Sequence, residues 1–268
     1  MYNSQLSVGV FDSGMGGLTV LRALRVALPK ESFIYLGDTA RLPYGTKSSH
    51  TVRQYAVQMA KILLERQIKA LVIACNTATT AALPYLQAMT PDIPVIGVVC
   101  PGAASAVAAT QNKRISVFAT ETTIASQAYQ QLILREIPDA SISVRPCSLL
   151  VALAEEGMVN NDVATAAVKH YISKITNEDT LLLGCTHFPV FKPLLSRLLP
   201  PEITIVDSAE ATANTLRIIL EQKNLLETNH SSIETRYLVT DSVERFRVVG
   251  EIFLGQSLAG SDIELIDA

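Results

Sequence analysis

The chain contains the segment Ala70-Leu-Val-Ile-Ala-Cys75-Asn-Thr77 and a matching segment, Thr180-Leu-Leu-Leu-Gly-Cys185-Thr-His187, which together indicate its fold. In each stretch, an apolar run of strand length ends at a cysteine, and threonine-bearing polar residues follow at once. In an open α/β sheet, ligands bind at the carboxyl ends of strands, where the next helix directs its positive end. A thiol placed there is expected to ionise more readily, and the thiolate is its reactive form. The two stretches therefore predict two strands that each end in a reactive thiol.

Strand-like and helix-like segments alternate on both sides of the first stretch. An apolar strand at 8–11 passes through the glycine turn 14–17 into a helix that ends at Pro29. Further strands are predicted at 33–36 and 95–99, and further helices at 51–66, at 77–89 and after Pro101. Strands that alternate with helices of this length indicate βαβ units and a largely parallel sheet.

The same order of segments then appears a second time. The run Ile115-Ser-Val-Phe118 follows Val8-Gly-Val-Phe11 by 107 residues, and Cys185 follows Cys75 by 110. The run 203–206 follows the run 93–96 by 110 as well. Three consistent offsets favour two similar, mainly parallel-sheet α/β domains related by duplication. We expect residues 1–98 with 208–268 to form the first domain and residues 99–207 to form the second.

Composition narrows the class of protein. A chain of 268 residues with 49% hydrophobic residues can bury a core of one large or two modest domains. A net charge of −3 gives no basic field for nucleic acid, and there is no Lys/Arg run for a membrane surface. Four cysteines in apolar or isolated positions do not resemble a disulfide framework, which favours a reducing, cytoplasmic compartment. The N-terminus lacks a signal peptide pattern.

Two segments allow other interpretations. The uncharged stretch Ile93–Asn112 contains prolines and glycines, so a strand, a turn and a helix suit it better than a membrane span. The glycine turn resembles a dinucleotide fingerprint, and Asp38 superficially mimics the acid that binds ribose. However, Thr19 stands where the third glycine belongs, and Asp12 lies where pyrophosphate would sit. Asp12 and Ser13 are interpreted either as an acid and a hydroxyl aimed into a cleft or, for Asp12, as a helix cap.

The residues around the cysteines also have ordinary structural interpretations. Thr77 is of a type that caps helices, and a lone histidine such as His187 is more often a core or loop residue than a reactive one. A zinc site is disfavoured, because Cys185 and His187 are two positions apart without a second ligand pair. Cys100 and Cys147 are interpreted as packing residues. Of the neighbours Glu155 and Glu156, we expect one to point inward and the other to stay solvated.

Four motifs together resemble the aspartate/glutamate racemase superfamily, and glutamate racemase within it. They are Val10-Phe-Asp-Ser-Gly-Met-Gly-Gly-Leu18, Tyr35-Leu-Gly-Asp-Thr39 with Pro43-Tyr-Gly45, Ile73-Ala-Cys-Asn-Thr-Ala78 and Leu183-Gly-Cys-Thr-His-Phe-Pro189. They occur in the family's order and span nearly the whole chain. The resemblance implies two α/β domains with the active site in the cleft between them, no cofactor, and interconversion of L- and D-glutamate for peptidoglycan synthesis.

The resemblance also implies roles for individual residues. Cys75 and Cys185 match the two catalytic bases, Asp12 and His187 match the groups that assist them, and Glu155 matches a further acid. The expected substrate-binding residues are Asp12, Ser13, Tyr44, Gly45, Asn76, Thr77, Thr186 and His187. Ser148 and Ala152 stand where the family often has proline, which affects the register of Glu155 only. The implied partner is small-molecule glutamate, without nucleic acid or membrane, and a homodimer is one of the oligomeric states that the sequence leaves open.

Two thiols suit this chemistry on physical grounds. Racemisation removes the α-proton from one face of a carbon and returns a proton on the other, so it needs two opposed acid/base groups. An aspartate racemase or another carbon-acid enzyme of the superfamily would share both cysteines. Thiol acyl transfer by Cys185 with His187 as base remains an alternative from a different class, although it gives Cys75 no role.

Overall fold

Two parallel β-sheets form the framework of this computed structural model, which describes residues 4–228 and 233–267. Every described pairing of strands is parallel. The first sheet contains β1 Val8–Asp12, β2 Phe33–Gly37, β3 Ala70–Ile73, β4 Val95–Gly97, β9 Thr235–Val239 and β10 Ile263–Leu265. The second sheet contains β5 Arg114–Ala119, β6 Ser141–Pro146, β7 Thr180–Gly184 and β8 Thr204–Asp207.

Helices connect these strands, as parallel pairing requires. The described helices are α1 Leu18–Ala27, α2 Ser49–Glu65, α3 Asn76–Met89, α4 Val99–Ala109, α5 Glu121–Ala125, α6 Ala128–Glu136, α7 Ser148–Glu155, α8 Asp162–Ile172, α9 Lys192–Leu198, α10 Ala209–Gln222 and α11 Val243–Leu254. Short 3-10 turns occur at Tyr44–Thr46, Phe188–Phe191 and Gly260–Asp262. Helix α1 illustrates how apolar spacing produces an amphipathic helix. Its apolar positions Leu18, Leu21 and Leu24 share one face and are fully buried.

The chain follows the same path twice. In the first sheet the strand order is β10-β9-β2-β1-β3-β4, and in the second it is β6-β5-β7-β8. Thus β5, β6, β7 and β8 occupy the places that β1, β2, β3 and β4 occupy in the first sheet. The prediction of two similar parallel-sheet α/β domains is confirmed. Strands β9 and β10 extend the first sheet through β2, while the exact domain boundaries near 98 and 207 stay a prediction.

The strand order also locates a cleft in each domain. The chain leaves β1 toward β2 and returns to β3 on the other side, so the direction of winding reverses at β1 and, equivalently, at β5. A crevice opens at the carboxyl ends of the strands beside such a reversal. The two domains are packed together, since one hydrophobic cluster includes Val10 and Val72 of the first sheet and Phe118 and Leu183 of the second.

The segment around Pro101 differs from its prediction. The strand expected at 95–99 ends at Gly97, and α4 begins at Val99, before the proline rather than after it. A proline is tolerated in the first turn of a helix because the backbone N–H there has no partner within the helix. Cys100 is exposed on this turn, so its interpretation as a packing residue was wrong. Within residues 4–228 and 233–267, no helix has the length and apolar character needed to cross a membrane.

Candidate active site

The two cysteine turns meet at one small cavity. Cys75 immediately precedes α3, and Cys185 immediately follows β7, the strand equivalent to β3. Both thiols line this cavity. The lining residues are Ser13, Pro43, Tyr44, Gly45, Cys75, Asn76, Thr77, Thr120, Val151, Cys185, Thr186 and His187. The structure thus brings together nine of the eleven residues that the sequence singled out, and the other two, Asp12 and Glu155, lie directly behind this wall.

The Cys75 side of the cavity is buried and contains hydroxyl and carboxyl groups. The Cys75 thiol donates to Ser13 Oγ at 3.7 Å and accepts from the backbone N–H of Ala78 at 3.4 Å. Burial raises the pKa of this thiol to about 12, and the nearby charge of Asp12 adds to the shift. The expectation that its position at a helix N-terminus would ease ionisation was wrong for Cys75, because the cost of burying a thiolate exceeds the helix contribution.

Asp12 is fully buried where β1 ends. Its carboxylate accepts from the backbone N–H of Gly14 at 3.1 Å and from the Thr186 hydroxyl at 3.4 Å. The second bond crosses from the first domain to the loop that holds Cys185. Burial raises the pKa of Asp12, and the positive charge of His187 partly opposes that shift. The cap position of α1 is Gly17, so the helix-cap interpretation of Asp12 was wrong.

The Cys185 side contains an imidazole instead. His187 Nδ1 lies 3.9 Å from Cys185 Sγ, and His187 Nε2 lies 2.5 Å from Glu155 Oε1. Burial lowers the pKa of His187, but the interactions with Cys185 and Glu155 outweigh it and raise that pKa well above the usual value. Glu155 is buried and Glu156 is exposed, which confirms the expected division between these neighbours.

The first domain fixes the imidazole from the opposite side. The Phe253 ring of α11 stands edge-on to the His187 ring, with centroids 5.4 Å apart and an interplanar angle of 80°. The backbone of Gly16 lies so close to His187 that a Cβ at that position would overlap the ring. Glycine is therefore required there by close approach. His187 is a buried histidine held by both domains.

A polar loop closes the cavity beside Cys75. The Tyr44 hydroxyl donates to Asp38, and Asp38 also accepts from Arg41 at 2.9 Å and from Thr240 at 3.0 Å. The Asp38 carboxylate therefore accepts hydrogen bonds from residues of this chain, which disfavours its interpretation as an acid that binds ribose. In contact with this loop, the Thr77 hydroxyl lies 2.9 Å from that of Thr120.

Three lining residues were absent from the predicted site: Pro43, Thr120 and Val151. Thr120 had a signal in the sequence, because it follows Ser13 by the same 107 residues that relate the first strands of the two domains. Pro43 belonged to a quoted motif without an assigned role. Val151 had no signal, because it belongs to the apolar run of α7 and resembles any core residue.

Cys147 is fully buried and does not line the cavity, as its interpretation as a packing residue requires. Among residues 4–228 and 233–267, no three His, Cys, Asp or Glu side chains come together as a metal site would need. The site thus contains two protonatable sulfur atoms on one cavity, each accompanied by a second ionisable group.

Comparisons with known proteins agree with this geometry. A family model described as Asp/Glu/Hydantoin racemase matches residues 16–216. The glutamate racemase of Neisseria meningitidis is 43% identical over 264 residues, covering 98% of this chain and 97% of the relative. That of Geobacter metallireducens is 46% identical and covers 94% of each chain. The crystal structure of glutamate racemase from Francisella tularensis in complex with D-glutamate superposes with a TM-score of 0.90, at 37% identity and 98% coverage of both chains. The chain belongs to the Asp/Glu/Hydantoin racemase family and is an isomerase.

Proposed function

We propose that this protein is a cofactor-independent glutamate racemase that interconverts L- and D-glutamate by proton transfer through two cysteines. One observation carries the proposal: Cys75 and Cys185 end equivalent strands of two similar sheets and line the same cavity. Full-length relatives named glutamate racemase, at 43% and 46% identity, support glutamate as the substrate. D-glutamate made in this way would supply peptidoglycan synthesis, and four free cysteines suit the reducing cytoplasm.

The reaction needs one thiolate and one thiol at the same time. The thiolate removes the α-proton of glutamate, the electron pair of the C–H bond moves into the α-carboxylate, and the thiol on the opposite face returns a proton to the carbon. The first cysteine is then protonated and the second is a thiolate, so no proton is gained or lost. The two thiols exchange roles when the other enantiomer binds.

Each thiol has a different ionisable neighbour with which it can exchange a proton. Asp12, whose pKa is raised by burial, is an acceptor near Cys75. On the other side, His187 is a proton donor beside Cys185, and Glu155 holds the imidazole from its far nitrogen. The pKa values of the Asp12 carboxyl group and the His187 imidazole are both raised, toward the range in which thiols titrate, which lowers the free-energy cost of proton exchange with a nearby thiol.

Neutral donors are suited to hold the negative charge that develops in the substrate. Without a cofactor that charge must spread into the α-carboxylate, where fixed hydrogen-bond donors stabilise it more in the transition state than in the ground state. The lining provides such donors on both sides: Ser13, Asn76, Thr77 and Thr186. The N-terminus of α3, which begins at Asn76, adds its positive end to the same wall.

The proposed catalytic residues are distributed over both domains. We assign residues 1–98 with 208–268 to the domain that carries Asp12 and Cys75, and residues 99–207 to the domain that carries Cys185 and His187. Closure of the domains on the substrate would exclude water and strengthen each polar contact in the cavity.

The proposal is tested by incubating the purified protein with L-glutamate in D2O. We expect D-glutamate to appear with one solvent deuterium at the α-carbon, seen as a mass increase of about one unit alongside chiral chromatography. Glutamine should not be turned over, because losing one charge leaves buried donors unpaired at about 1–3 kcal/mol each. EDTA should leave the rate unchanged. Equal turnover of aspartate or alanine would contradict the assignment of glutamate, and thioester formation without deuterium exchange would favour acyl transfer.

A further inference from the structure

Tyr129 is a buried residue of the second domain that reaches the active-site wall of the first. It belongs to α6, and its exposed fraction is 1%. Its hydroxyl donates a hydrogen bond of 2.6 Å to Oδ1 of Asn76, the first residue of α3. Asn76 lines the cavity, whereas Tyr129 does not. This bond therefore joins the two domains directly behind the lining.

The Tyr129 ring is seated against the strand that leads to Cys185. A Cβ added to Gly184, the last residue of β7, would lie 2.7 Å from the Tyr129 ring atom Cε2. A Cβ added to Gly102 of α4 would lie 3.0 Å from the phenolic oxygen. The ring fits only because both positions lack a side chain. Its place is thus fixed by the backbone immediately before Cys185, while its hydroxyl reaches the residue immediately after Cys75.

The hydrogen bond from Tyr129 involves only the oxygen of the Asn76 amide and not its NH2 group. Oδ1 faces Tyr129, and Nδ2 is buried without a hydrogen-bond partner among the described residues. A buried amide N–H without a partner costs free energy, so such a group in a cavity wall indicates a ligand acceptor. The opposite orientation of the amide would present a carbonyl oxygen to the cavity and would remove the acceptor of the phenolic hydrogen.

We propose that Tyr129 is a positioning residue, which holds the Asn76 amide so that its NH2 group is presented to a carboxylate of the substrate. This inference rests on the proposed function, because it assigns the anion to glutamate. Burial raises the pKa of Tyr129, and the proximity of Cys185 adds to this effect, so the phenol keeps its proton and remains a donor. An amide donor suits a carboxylate, whereas a carbonyl oxygen would repel it.

The kinetic test compares Tyr129→Phe with Tyr171→Phe. Tyr171 is the matched control, because it belongs to α8 of the same domain and packs against Phe118 outside the cavity. We expect Tyr129→Phe to lower kcat/KM by about tenfold, mainly through a higher KM for both enantiomers, as for loss of one oriented hydrogen bond. Tyr171→Phe should stay within about twofold of the wild type.

A double-mutant cycle separates positioning from general damage. If Tyr129 acts through Asn76, then Tyr129→Phe should have little further effect on KM in an Asn76→Ala background. Additive losses in the double variant would overturn the proposal, as would a wild-type KM in Tyr129→Phe. In either case, racemisation by the wild type would leave the proposed function standing.

A spectroscopic test does not depend on activity. The side-chain NH2 signals of Asn76 in a 15N-labelled sample are identified by their loss in Asn76→Ala. They should shift in Tyr129→Phe and stay in place in Tyr171→Phe, because only the first change removes the bond to Oδ1. Unchanged signals in Tyr129→Phe would overturn the positioning role, whatever substrate the wild type accepts.

Discussion

The turn that holds Cys75 and the turn that holds Cys185 share a backbone plan but differ in their chemical surroundings. Both follow the strand beside the reversal of winding, and both lead into a helical segment. The first thiol contacts a hydroxyl and lies near a buried carboxyl group, whereas the second lies 3.9 Å from an imidazole that a glutamate holds. Duplication can therefore supply two equivalent positions for acid/base groups while the partner of each group diverges.

The two turns also depend on each other. Asp12 of the first domain accepts a hydrogen bond from Thr186, which follows Cys185, and Gly16 of the first domain packs against His187. In the other direction, Thr120 of the second domain contacts the hydroxyl of Thr77, near Cys75. Neither domain alone contains a complete wall of the cavity. A duplicated scaffold of this kind therefore provides an asymmetric site only when both copies are packed together.

The largest expected effect comes from removing either sulfur. Cys75→Ser and Cys185→Ser should each lower racemisation by about 10² to 10⁴, the usual contribution of a positioned acid/base group. Because the enantiomers have equal free energy, kcat/KM must fall equally in both directions, so racemisation cannot distinguish the thiols. A glutamate analogue with a leaving group on the β-carbon can distinguish the two thiols, because its elimination needs only proton abstraction and not the return of a proton by the second thiol. By resemblance to the family, Cys75→Ser should eliminate only from the L-series and Cys185→Ser only from the D-series.

The control for this comparison is Cys100→Ser, which changes an exposed thiol outside the cavity and should retain wild-type rates. If both active-site variants eliminate from the same enantiomer, or if either racemises at nearly the wild-type rate, the hypothesis that Cys75 and Cys185 act as opposed bases is wrong.

A smaller effect should follow from changing the partner of each thiol. Asp12→Asn and His187→Asn remove an ionisable group but keep both sulfurs, so we expect losses of about 10- to 100-fold in racemisation. Elimination should again show the asymmetry: Asp12→Asn should reduce turnover of the D-series more, and His187→Asn that of the L-series more. Equal losses from both series in both variants would show that the partners serve the whole cavity rather than one thiol each.

The last comparison concerns the reactivity of Cys75 without substrate, which involves no change in the sequence. Alkylation proceeds through the thiolate, and a pKa of about 12 places the thiolate in the minority at neutral pH. The rate of Cys75 alkylation, followed by peptide mass spectrometry, should therefore rise about tenfold per pH unit from about pH 7 to 10 without a plateau. Exposed Cys100 should react faster throughout, which provides an internal control. A plateau for Cys75 near pH 8 would mean that the helix N-terminus outweighs burial after all.

Much of the framework was predictable from local pattern. Apolar runs of four or five residues marked β1, β3 and β7, and the constant offset between the cysteines revealed the duplication, because a repeated fold keeps the spacing of its core segments. The boundary at Pro101 was misplaced, because proline was taken to precede the helix although its first turn tolerates it. Strand β10, three residues long with two of them exposed, carries too little pattern to be recognised.

Local pattern was sufficient to predict the alternation of strands and helices, the duplication, and the position of each cysteine at the end of a strand. These depend on side-chain period and spacing, which are local properties of the chain. The raised pKa of Cys75 and the hydrogen bond from Tyr129 to Asn76 become visible only in the folded structure. Burial and contacts between residues far apart in the chain arise when the two domains pack, and their free energies have no signature in a single segment.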